Sequence, residues 1–264
     1  MRYGVILPGG SGQRQLEQAV AAERAGWDGV FVWETGYGVD AWSLLAGMAV
    51  ATERVRLGTM LTPLPWRRPW KLASQVATVD QLSGGRAILA VGVGAVDPPL
   101  PSSAREETDV RVRASMMDEG IDLMRALWGG DGHFGGTHYD FDGGTGNLVE
   151  VGRPVQDRVP IWVVGAWPRP RSMRRVLRCD GVVPQFAGEG GPADLREMRA
   201  WLAERGAAPG LDVISEGEST GPETVRPWAD AGATWWLETR WGSMETTDQR
   251  VSDMTTRIEA GPPA

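Results

Sequence analysis

The sequence predicts an α/β fold, a TIM (β/α)8 barrel, as a single domain over residues 1–264. Short apolar runs alternate eight times with amphipathic helical segments, which is typical of parallel strands joined by helices. The runs are apolar at nearly every position, as in strands that are covered on both faces. An open doubly wound sheet is the alternative, but Gly9, Gly10 and Gly12 lack the spacing of a dinucleotide-binding turn.

The first four strand–helix units fill the first half of the chain. The predicted strands are Tyr3–Leu7, Gly29–Glu34, Val55–Leu61 and Ala87–Gly94. The helices that follow them are predicted over Gln13–Ala25, Ala41–Thr52, Trp70–Leu82 and Arg105–Trp128. Gly26 comes directly after the first helix, where a left-handed residue commonly ends a helix.

A glycine-rich segment then interrupts the alternation, and we expect an insertion at about residues 131–150. Alternating residues around His138–Phe141 predict a small hairpin there, with His133 and His138 at the surface. The barrel pattern resumes with four strands, predicted over Pro160–Gly165, Gly181–Phe186, Leu211–Glu216 and Thr234–Glu238. Their helices are predicted over Arg171–Arg178, Ala193–Arg205, Pro222–Ala231 and Thr247–Glu259.

Composition excludes several classes of protein. Hydrophobic residues make up 42% of the chain, which is enough for a large core, and the net charge is −7 without a basic run. We therefore expect no nucleic-acid partner, and no apolar run is long enough to predict a membrane partner. Cys179 is the one cysteine, there are two histidines, and the N-terminus resembles no leader, so we expect a cytoplasmic protein without a metal site.

In this fold the chemistry lies at the carboxyl ends of the strands. Histidine, lysine and cysteine are missing from those ends, which argues against Schiff-base, thiol and serine–histidine mechanisms. Glu34 and Asp97 end the second and fourth strands and form a candidate acid–base pair. The alternative is that each caps a helix or pairs with an arginine, and for Glu218 and Glu238 we favour that structural role.

Two glycines in the fourth strand are a second candidate feature. Gly92 and Gly94 are predicted to share one strand face with Ala90, which leaves either bare main chain for a flat ligand or tight packing against bulky neighbours. The turn after the fifth strand, residues 165–172, offers main-chain N–H groups and arginines for a phosphate, although a plain connecting loop fits the composition equally well.

Tryptophans and basic residues complete the set of candidates. Trp162 and Trp235 lie in mid-strand and are expected in the core. Trp33 and Trp167 end their strands, where they are placed to line an aromatic pocket. The Arg67, Arg68 and Lys71 cluster after the third strand is either a site for an anionic cofactor tail or solvated charge around a packed tryptophan.

Four segments together resemble the bacterial luciferase-like monooxygenase family and its actinobacterial branch that depends on coenzyme F-420, a deazaflavin. The strongest is VRLGTMLTPLPWRRPWKLASQVATVDQLSGGRAILAVGVG, residues 55–94. AERAGWDGVFVWE, residues 153–184 and WADAGATWWLE follow the same family pattern in the same order.

The resemblance implies a barrel that binds coenzyme F-420 or, alternatively, FMN at the carboxyl ends of its strands. It implies a bulge with a non-proline cis peptide behind the ring, which the alignment places at Thr59–Met60. It also implies that the ring passes close to the strand-four segment formed by Gly92, Val93 and Gly94.

The resemblance also assigns the remaining site residues. The cofactor phosphate is expected at Gly165, Ala166 and Trp167, and an acidic residue near the hydride-transfer centre at Glu34 and Asp97. Trp33 and Thr35 are expected to contact substrate. Thr35 stands where sugar-phosphate dehydrogenases of the family have a catalytic histidine, so their particular chemistry is not expected here.

The predicted function is hydride transfer between coenzyme F-420 and a small organic substrate. An FMN-dependent monooxygenase is the sibling alternative. A cofactor-free barrel hydrolase with Glu34 and Asp97 as its acid and base, and a non-catalytic flavin-binding protein, are the alternatives from other classes. Relatives of the family often dimerise through outer helices, so a homodimer is an open expectation.

Overall fold

Eight parallel strands close into a barrel in the computed structural model, which describes residues 1–95, 106–143, 152–241 and 246–263. The strands of the first half are β1 (Arg2–Leu7), β2 (Gly29–Val32), β3 (Arg56–Thr59), the short β4 (Thr62–Pro63) and β5 (Ala87–Gly92). The helices between and after them are α1 (Gly12–Arg24), α2 (Ala41–Ala51), α3 (Pro69–Ser83) and α4 (Val110–Gly129), with a 3-10 turn at Leu64–Trp66.

The second half repeats the strand–helix unit after a hairpin of β6 (His133–Gly135) and β7 (Asp140–Asp142). Its strands are β8 (Ile161–Trp167), β9 (Gly181–Phe186), β10 (Asp212–Gly217) and β11 (Trp235–Glu238). Its helices are α5 (Pro170–Val176), α6 (Pro192–Glu204), α7 (Pro222–Ala231) and α8 (Thr247–Glu259). The predicted strands, helices and hairpin are therefore confirmed, apart from the start predicted for the fourth helix at Arg105, which lies outside the described residues.

The barrel closes because β3 pairs with both β2 and β5. The remaining order is β2-β1-β11-β10-β9-β8-β5, so every strand of the ring has two neighbours. No dinucleotide-binding open sheet is present in the described part of the chain, and the alternative fold is wrong. Three of the predicted strand ends, Glu34, Leu61 and Gly94, lie beyond the last residues of β2, β3 and β5, which are Val32, Thr59 and Gly92.

Large aromatic residues fill the interior of the barrel. Trp162 and Trp235 are fully buried, as predicted for the core, and both rings contact Phe31 at 5.2 Å and 5.9 Å between ring centroids. Glycine provides the volume for them: a Cβ at Gly181 would lie 2.3 Å from Trp162 Cδ1. These side chains pack the interior of the barrel below the carboxyl ends of the strands.

The DQLSGGR segment, residues 80–86, fixes the fourth unit against its neighbours. The fully buried carboxylate of Asp80 accepts hydrogen bonds from the main-chain N–H groups of Val155 and Gln156 at 2.8 and 2.9 Å. Arg86 donates to carbonyl oxygens at the end of α2, including those of Ala49 and Thr52. These bonds hold β5 and the approach to β8 in register. None of the described helices is long and apolar enough to cross a membrane.

Candidate active site

The mouth of the barrel is formed by the inward-facing residues at the carboxyl ends of the strands. Side chains two residues apart on a strand share a face. A residue two positions after one whose side chain packs inside the barrel therefore also faces inward, one level closer to the carboxyl end. Phe31, Val164, Val183 and Ile214 are inner residues, and we define the mouth by the residues above them: Trp33, Ala166, Gln185 and Glu216, together with Leu61.

A bulge interrupts the third strand at this mouth. Leu57 pairs with Ala87 of β5, but Thr62 pairs with Val91, so the β3–β4 side contains one residue more than β5. The predicted bulge is therefore confirmed. A non-proline cis peptide also occurs there, between Met60 and Leu61.

The position predicted for the cis peptide, Thr59–Met60, is wrong by one residue. Thr59 is still paired with Val32 of β2, and the Met60 N–H donates to the Val32 carbonyl oxygen at 2.8 Å. The chain therefore follows the β2 ladder through the Met60 nitrogen and leaves it only afterwards. Thr59 is fully buried, and its hydroxyl lies 3.2 Å from the Ala90 carbonyl oxygen.

Glu34 is tied to the β3 loop by an arginine that follows the bulge. Its side chain is 6% exposed, and Arg67 approaches Glu34 Oε1 with Nη2 at 2.5 Å and Nε at 2.6 Å. The Thr62 hydroxyl lies 2.9 Å from Oε2 and accepts from the indole N–H of Trp42 at 3.1 Å. The structure therefore confirms the alternative in which Glu34 pairs with an arginine.

Burial nevertheless raises the pKa of Glu34 above its ordinary value, although Arg67 and the Thr62 hydroxyl act in the opposite direction. The carboxylate forms one wall of a cleft of about 370 Å³, whose other walls include Thr35, Tyr37, Trp66 and Glu106. A buried carboxyl beside a cleft of ligand size is typical of a functional site.

The space predicted beside Gly92 and Gly94 is filled by side chains. A Cβ at Gly92 would lie 2.8 Å from Leu61 Cδ1 and 3.3 Å from Val164 Cγ2, and one at Gly94 would lie 2.9 Å from the Trp66 ring. Gly94 also lies beyond β5 with φ +77°, so the two glycines share no strand face. The floor of bare main chain is wrong, and tight packing against bulky neighbours is correct.

Arg113 of α4 holds the segment formed by Val93 and Gly94. It is 2% exposed, and its Nη1 donates to the carbonyl oxygens of Val93 and Gly94 at 2.8 and 2.7 Å. This contact could not be predicted from the sequence, because Arg113 lies in an ordinary helical pattern. Asp97, the other half of the predicted acid–base pair, lies outside the described residues.

The turn after β8 is more occupied than predicted. The Ala166 N–H already donates to Ser172 Oγ at 2.9 Å, and a Cβ at Gly165 would contact Val182, 2.7 Å away. Trp167 packs edge-on against Trp201 of α6, with 6.1 Å between ring centroids. It therefore lies on the outer side of β8, and the aromatic pocket expected between Trp33 and Trp167 is not formed.

Trp33 has a different aromatic neighbour. It is 39% exposed and meets Trp241, which follows β11, at right angles with 5.9 Å between ring centroids. The neighbouring Thr35 hydroxyl donates to the Tyr37 carbonyl oxygen. The sequence missed Trp241 because it lies beyond the predicted end of the last strand.

Other candidates have structural partners. Glu238 is fully buried and pairs with Arg240 at 2.5 Å while accepting from the Ser219 hydroxyl and the Trp236 indole, in agreement with the structural role. His133 and His138 lie in the hairpin with exposed contacts to Asp142 and Ser115, as expected for surface residues.

A closed (β/α)8 barrel with carboxyl groups and a main-chain bulge at its mouth has the form of a barrel enzyme. Residues 1–218 match the family described as luciferase-like monooxygenase, and the chain belongs to that family. The family named from the sequence is thereby confirmed.

Two curated relatives carry F420 in their names. A putative coenzyme F420-dependent oxidoreductase of Mycobacterium tuberculosis is 33% identical over 207 residues, 75% of this chain and 57% of that protein. An F420-dependent glucose-6-phosphate dehydrogenase of Amycolatopsis mediterranei is 34% identical over 194 residues, 68% of this chain and 52% of that protein. The chain thus spans little more than half the length of these relatives.

Solved structures share the fold along almost the whole chain. An F420-dependent secondary alcohol dehydrogenase in complex with an F420–acetone adduct superposes with a TM-score of 0.75 at 19% identity, covering 98% of both chains. A coenzyme F420-dependent tetrahydromethanopterin reductase from Methanopyrus kandleri gives a TM-score of 0.76 at 16% identity, covering 98% of this chain and 96% of that one. At these identities the likeness establishes the fold.

Proposed function

We propose that this protein is an oxidoreductase that binds coenzyme F-420 in the barrel mouth and transfers hydride between it and a small organic substrate. The observation that carries the proposal is the β3 bulge, which lies at the mouth beside the buried carboxylate of Glu34. The F420 dependence named for two relatives supports the choice of coenzyme.

The residues of the mouth fit a flat ring with polar edges. Leu61 of the bulge and Trp33 after β2 offer apolar surface at the mouth. The indole Nε1 of Trp66 is buried without a hydrogen-bond partner among the described residues, although its ring lines the cleft beside Glu34. A buried donor without a partner is costly, and a carbonyl or phosphate oxygen of the coenzyme would satisfy it.

We assign the ring-binding role to the two sides of the bulge, and the phosphate to the β8 turn. The proposed ring contacts are Thr59, Met60, Gly92, Val93 and Gly94, with Gly92 and Gly94 acting through the side chains packed on them. The proposed phosphate contacts are Gly165, Ala166 and Trp167, and the Ala166 N–H would exchange its hydrogen bond to Ser172 Oγ for one to the phosphate.

When bound, the coenzyme would supply the hydride chemistry. In the proposal Glu34 contributes a negative charge held in place by Arg67 and Thr62. Trp33 and Thr35 border the substrate side. Asp97 stays a predicted catalytic residue on sequence grounds. Thr35 in place of a histidine favours a substrate other than a sugar phosphate.

FMN remains the alternative coenzyme, because a solved relative of the same fold is a type II Baeyer–Villiger monooxygenase in complex with FMN, with a TM-score of 0.67 at 21% identity. A direct test is to titrate the purified protein with oxidised coenzyme F-420 and, separately, with FMN by calorimetry. We expect saturable binding of coenzyme F-420 and much weaker binding of FMN. Tighter binding of FMN would replace the coenzyme, and binding of neither would overturn the proposal.

A pair of matched variants tests the location. Leu61→Trp places a large ring over the bulge and should abolish binding, whereas the same change at Leu82, 47% exposed on α3, should leave binding unchanged. Circular dichroism and thermal unfolding should show that both variants are folded. Normal binding by Leu61→Trp would place the coenzyme elsewhere.

The proposal includes a homodimer, which the family resemblance supports, and a cytoplasmic location, which the single cysteine supports. Light scattering coupled to gel filtration measures the oligomeric state, and we expect the mass of a dimer. Fractionation of the source cells tests the location.

A further inference from the structure

Glu216 lies at the mouth end of β10 and faces the inside of the barrel. Ile214, two residues earlier, belongs to the inner core, while Val213 belongs to the outer core between strands and helices. Alternation along the strand therefore turns the Glu216 side chain inward. The side chain is exposed to solvent within the mouth, above the solid core.

Its neighbours on the inner face are apolar or uncharged. Glu216 is in register with Leu237 of β11, an inner residue. On the other side β10 pairs with β9 through Val213 and Val182, and the same register continued by three residues brings Gln185 beside Glu216. Gln185 is itself in register with Ala166 of β8.

Glu216 has no hydrogen bond or ion pair with any of the described residues. Glu238, the charged residue of β11, lies on the other face and is paired with Arg240. The titratable groups nearest in the chain and in the β9–α6 loop are Glu218 and Glu189, which are also acidic. No described cation forms an ion pair with Glu216, and none contributes to the shift of its pKa.

The surrounding walls of the mouth remove part of its hydration, and this loss of solvation raises the pKa of Glu216. Glu34 differs, because Arg67 and Thr62 engage both of its carboxylate oxygens. Of Glu34 and Glu216, only Glu216 has both carboxylate oxygens without a hydrogen-bond partner among the described residues.

We propose that Glu216 is a catalytic residue that exchanges a proton with the oxygen of an uncharged carbonyl or alcohol substrate, and that Gln185 hydrogen-bonds the same oxygen. The inference rests on the proposed function for the hydride. It moves the proton-transfer role, expected from the sequence at Glu34 or Asp97, to the opposite side of the mouth.

In the reducing direction the reduced deazaflavin, when bound, would supply a hydride, which is one proton with two electrons, to the carbonyl carbon. The carbonyl oxygen accepts the proton of the Glu216 carboxyl group as the C=O π bond breaks. The products are an alcohol, oxidised deazaflavin and the Glu216 carboxylate, which regains its proton from water. Alcohol oxidation is the reverse. An anionic substrate is disfavoured because its charge would meet Glu216, which has no paired cation among the described residues.

The first test follows the carboxyl group itself. Protein with ¹³C at the glutamate δ-carbon would be titrated by NMR, and Glu216→Gln identifies the resonance. We expect a titration midpoint above that of an ordinary glutamate and a change in that midpoint when oxidised coenzyme F-420 is added. Glu197→Gln, on the exposed face of α6, removes the same charge far from the mouth and should leave the Glu216 titration unchanged.

The second test uses reduced coenzyme F-420 with a panel of small neutral ketones and secondary alcohols across a range of pH. General acid–base catalysis contributes about 10²–10⁴-fold, so Glu216→Gln should slow hydride transfer at least about tenfold and flatten its pH profile. Glu197→Gln should retain both the rate and the profile.

The outcomes are separable. If coenzyme F-420 does not bind, the proposed function fails and this inference fails with it. If it binds but leaves the Glu216 titration unchanged, or if Glu216→Gln retains the rate and pH profile, this inference alone is overturned. If no compound in the panel reacts, the effect of the coenzyme on the titration decides.

Discussion

The ion pair between Arg67 and Glu34 allows a quantitative test of how the site is held. Arg67→Met removes the cation and keeps most of the apolar length of the side chain, so the Glu34 carboxylate is left buried, with the Thr62 hydroxyl as its remaining polar partner. Breaking a fully buried pair costs about 3–5 kcal/mol. Because Glu34 borders a cleft that admits water, we expect about 2–4 kcal/mol of destabilisation at neutral pH.

The pH dependence of the stability of Arg67→Met identifies the cause of its destabilisation. The pKa of Glu34 is already raised in the folded protein, and loss of Arg67 raises it further. The folded state then holds the proton more tightly than the unfolded chain, so stability is lost as the pH rises through the folded pKa. The difference in the free energy of unfolding between Arg67→Met and the natural protein should therefore be small at about pH 4, which is below the pKa of Glu34 in the unfolded chain. It should be largest at about pH 8.

The assay is urea unfolding followed by tryptophan fluorescence at both pH values. The double variant Arg67→Met with Glu34→Gln is the control, since it contains no buried charge, and it should recover most of the lost stability and show little pH dependence. An equal loss at both pH values, or a double variant as unstable as Arg67→Met, would refute the assignment of the loss to the unpaired carboxylate.

Three further outcomes follow from the packing. Asp80→Ala should cost about 3 kcal/mol in urea unfolding because it strands buried N–H donors, whereas the same change at the exposed Asp157 should stay within about 0.5 kcal/mol. Gly92→Val should cost about 1–3 kcal/mol by overpacking against Leu61 and weaken coenzyme binding in calorimetry; unaltered stability would contradict the contact. Burial raises the pKa of the Cys179 thiol to about 11, so a thiol reagent at neutral pH should modify it only after unfolding, and rapid labelling of the folded protein would contradict that burial.

The fold was predictable because its signals are local. Each strand is a short apolar run and each helix an amphipathic segment, so periodicity alone indicates eight units and their order. Gly26, with φ +91° after α1, and the hairpin at 133–142 follow from equally local patterns. The β3 bulge, by contrast, was predicted from the resemblance of residues 55–94 to the family.

The site was predictable only in part. The sequence placed Glu34 and the bulge at the mouth, but it located the cis peptide one residue early. The hydrogen bond from Met60 to β2 that corrects this position joins two separate strands. The sequence also predicted that Trp167 lines a pocket at the mouth, whereas the residue lies on the outer side of β8 against Trp201.

The sequence by itself determined the eight-unit barrel, the end at which its polar residues collect, and the family. Tertiary structure decided the neighbours of each side chain: Leu61 packs on Gly92, Arg67 pairs with Glu34 from 33 residues away, and Glu216 faces the mouth without a partner among the described residues. The physical reason is that local pattern fixes the direction of a backbone segment, whereas the neighbours of a side chain come from elements distant in the chain.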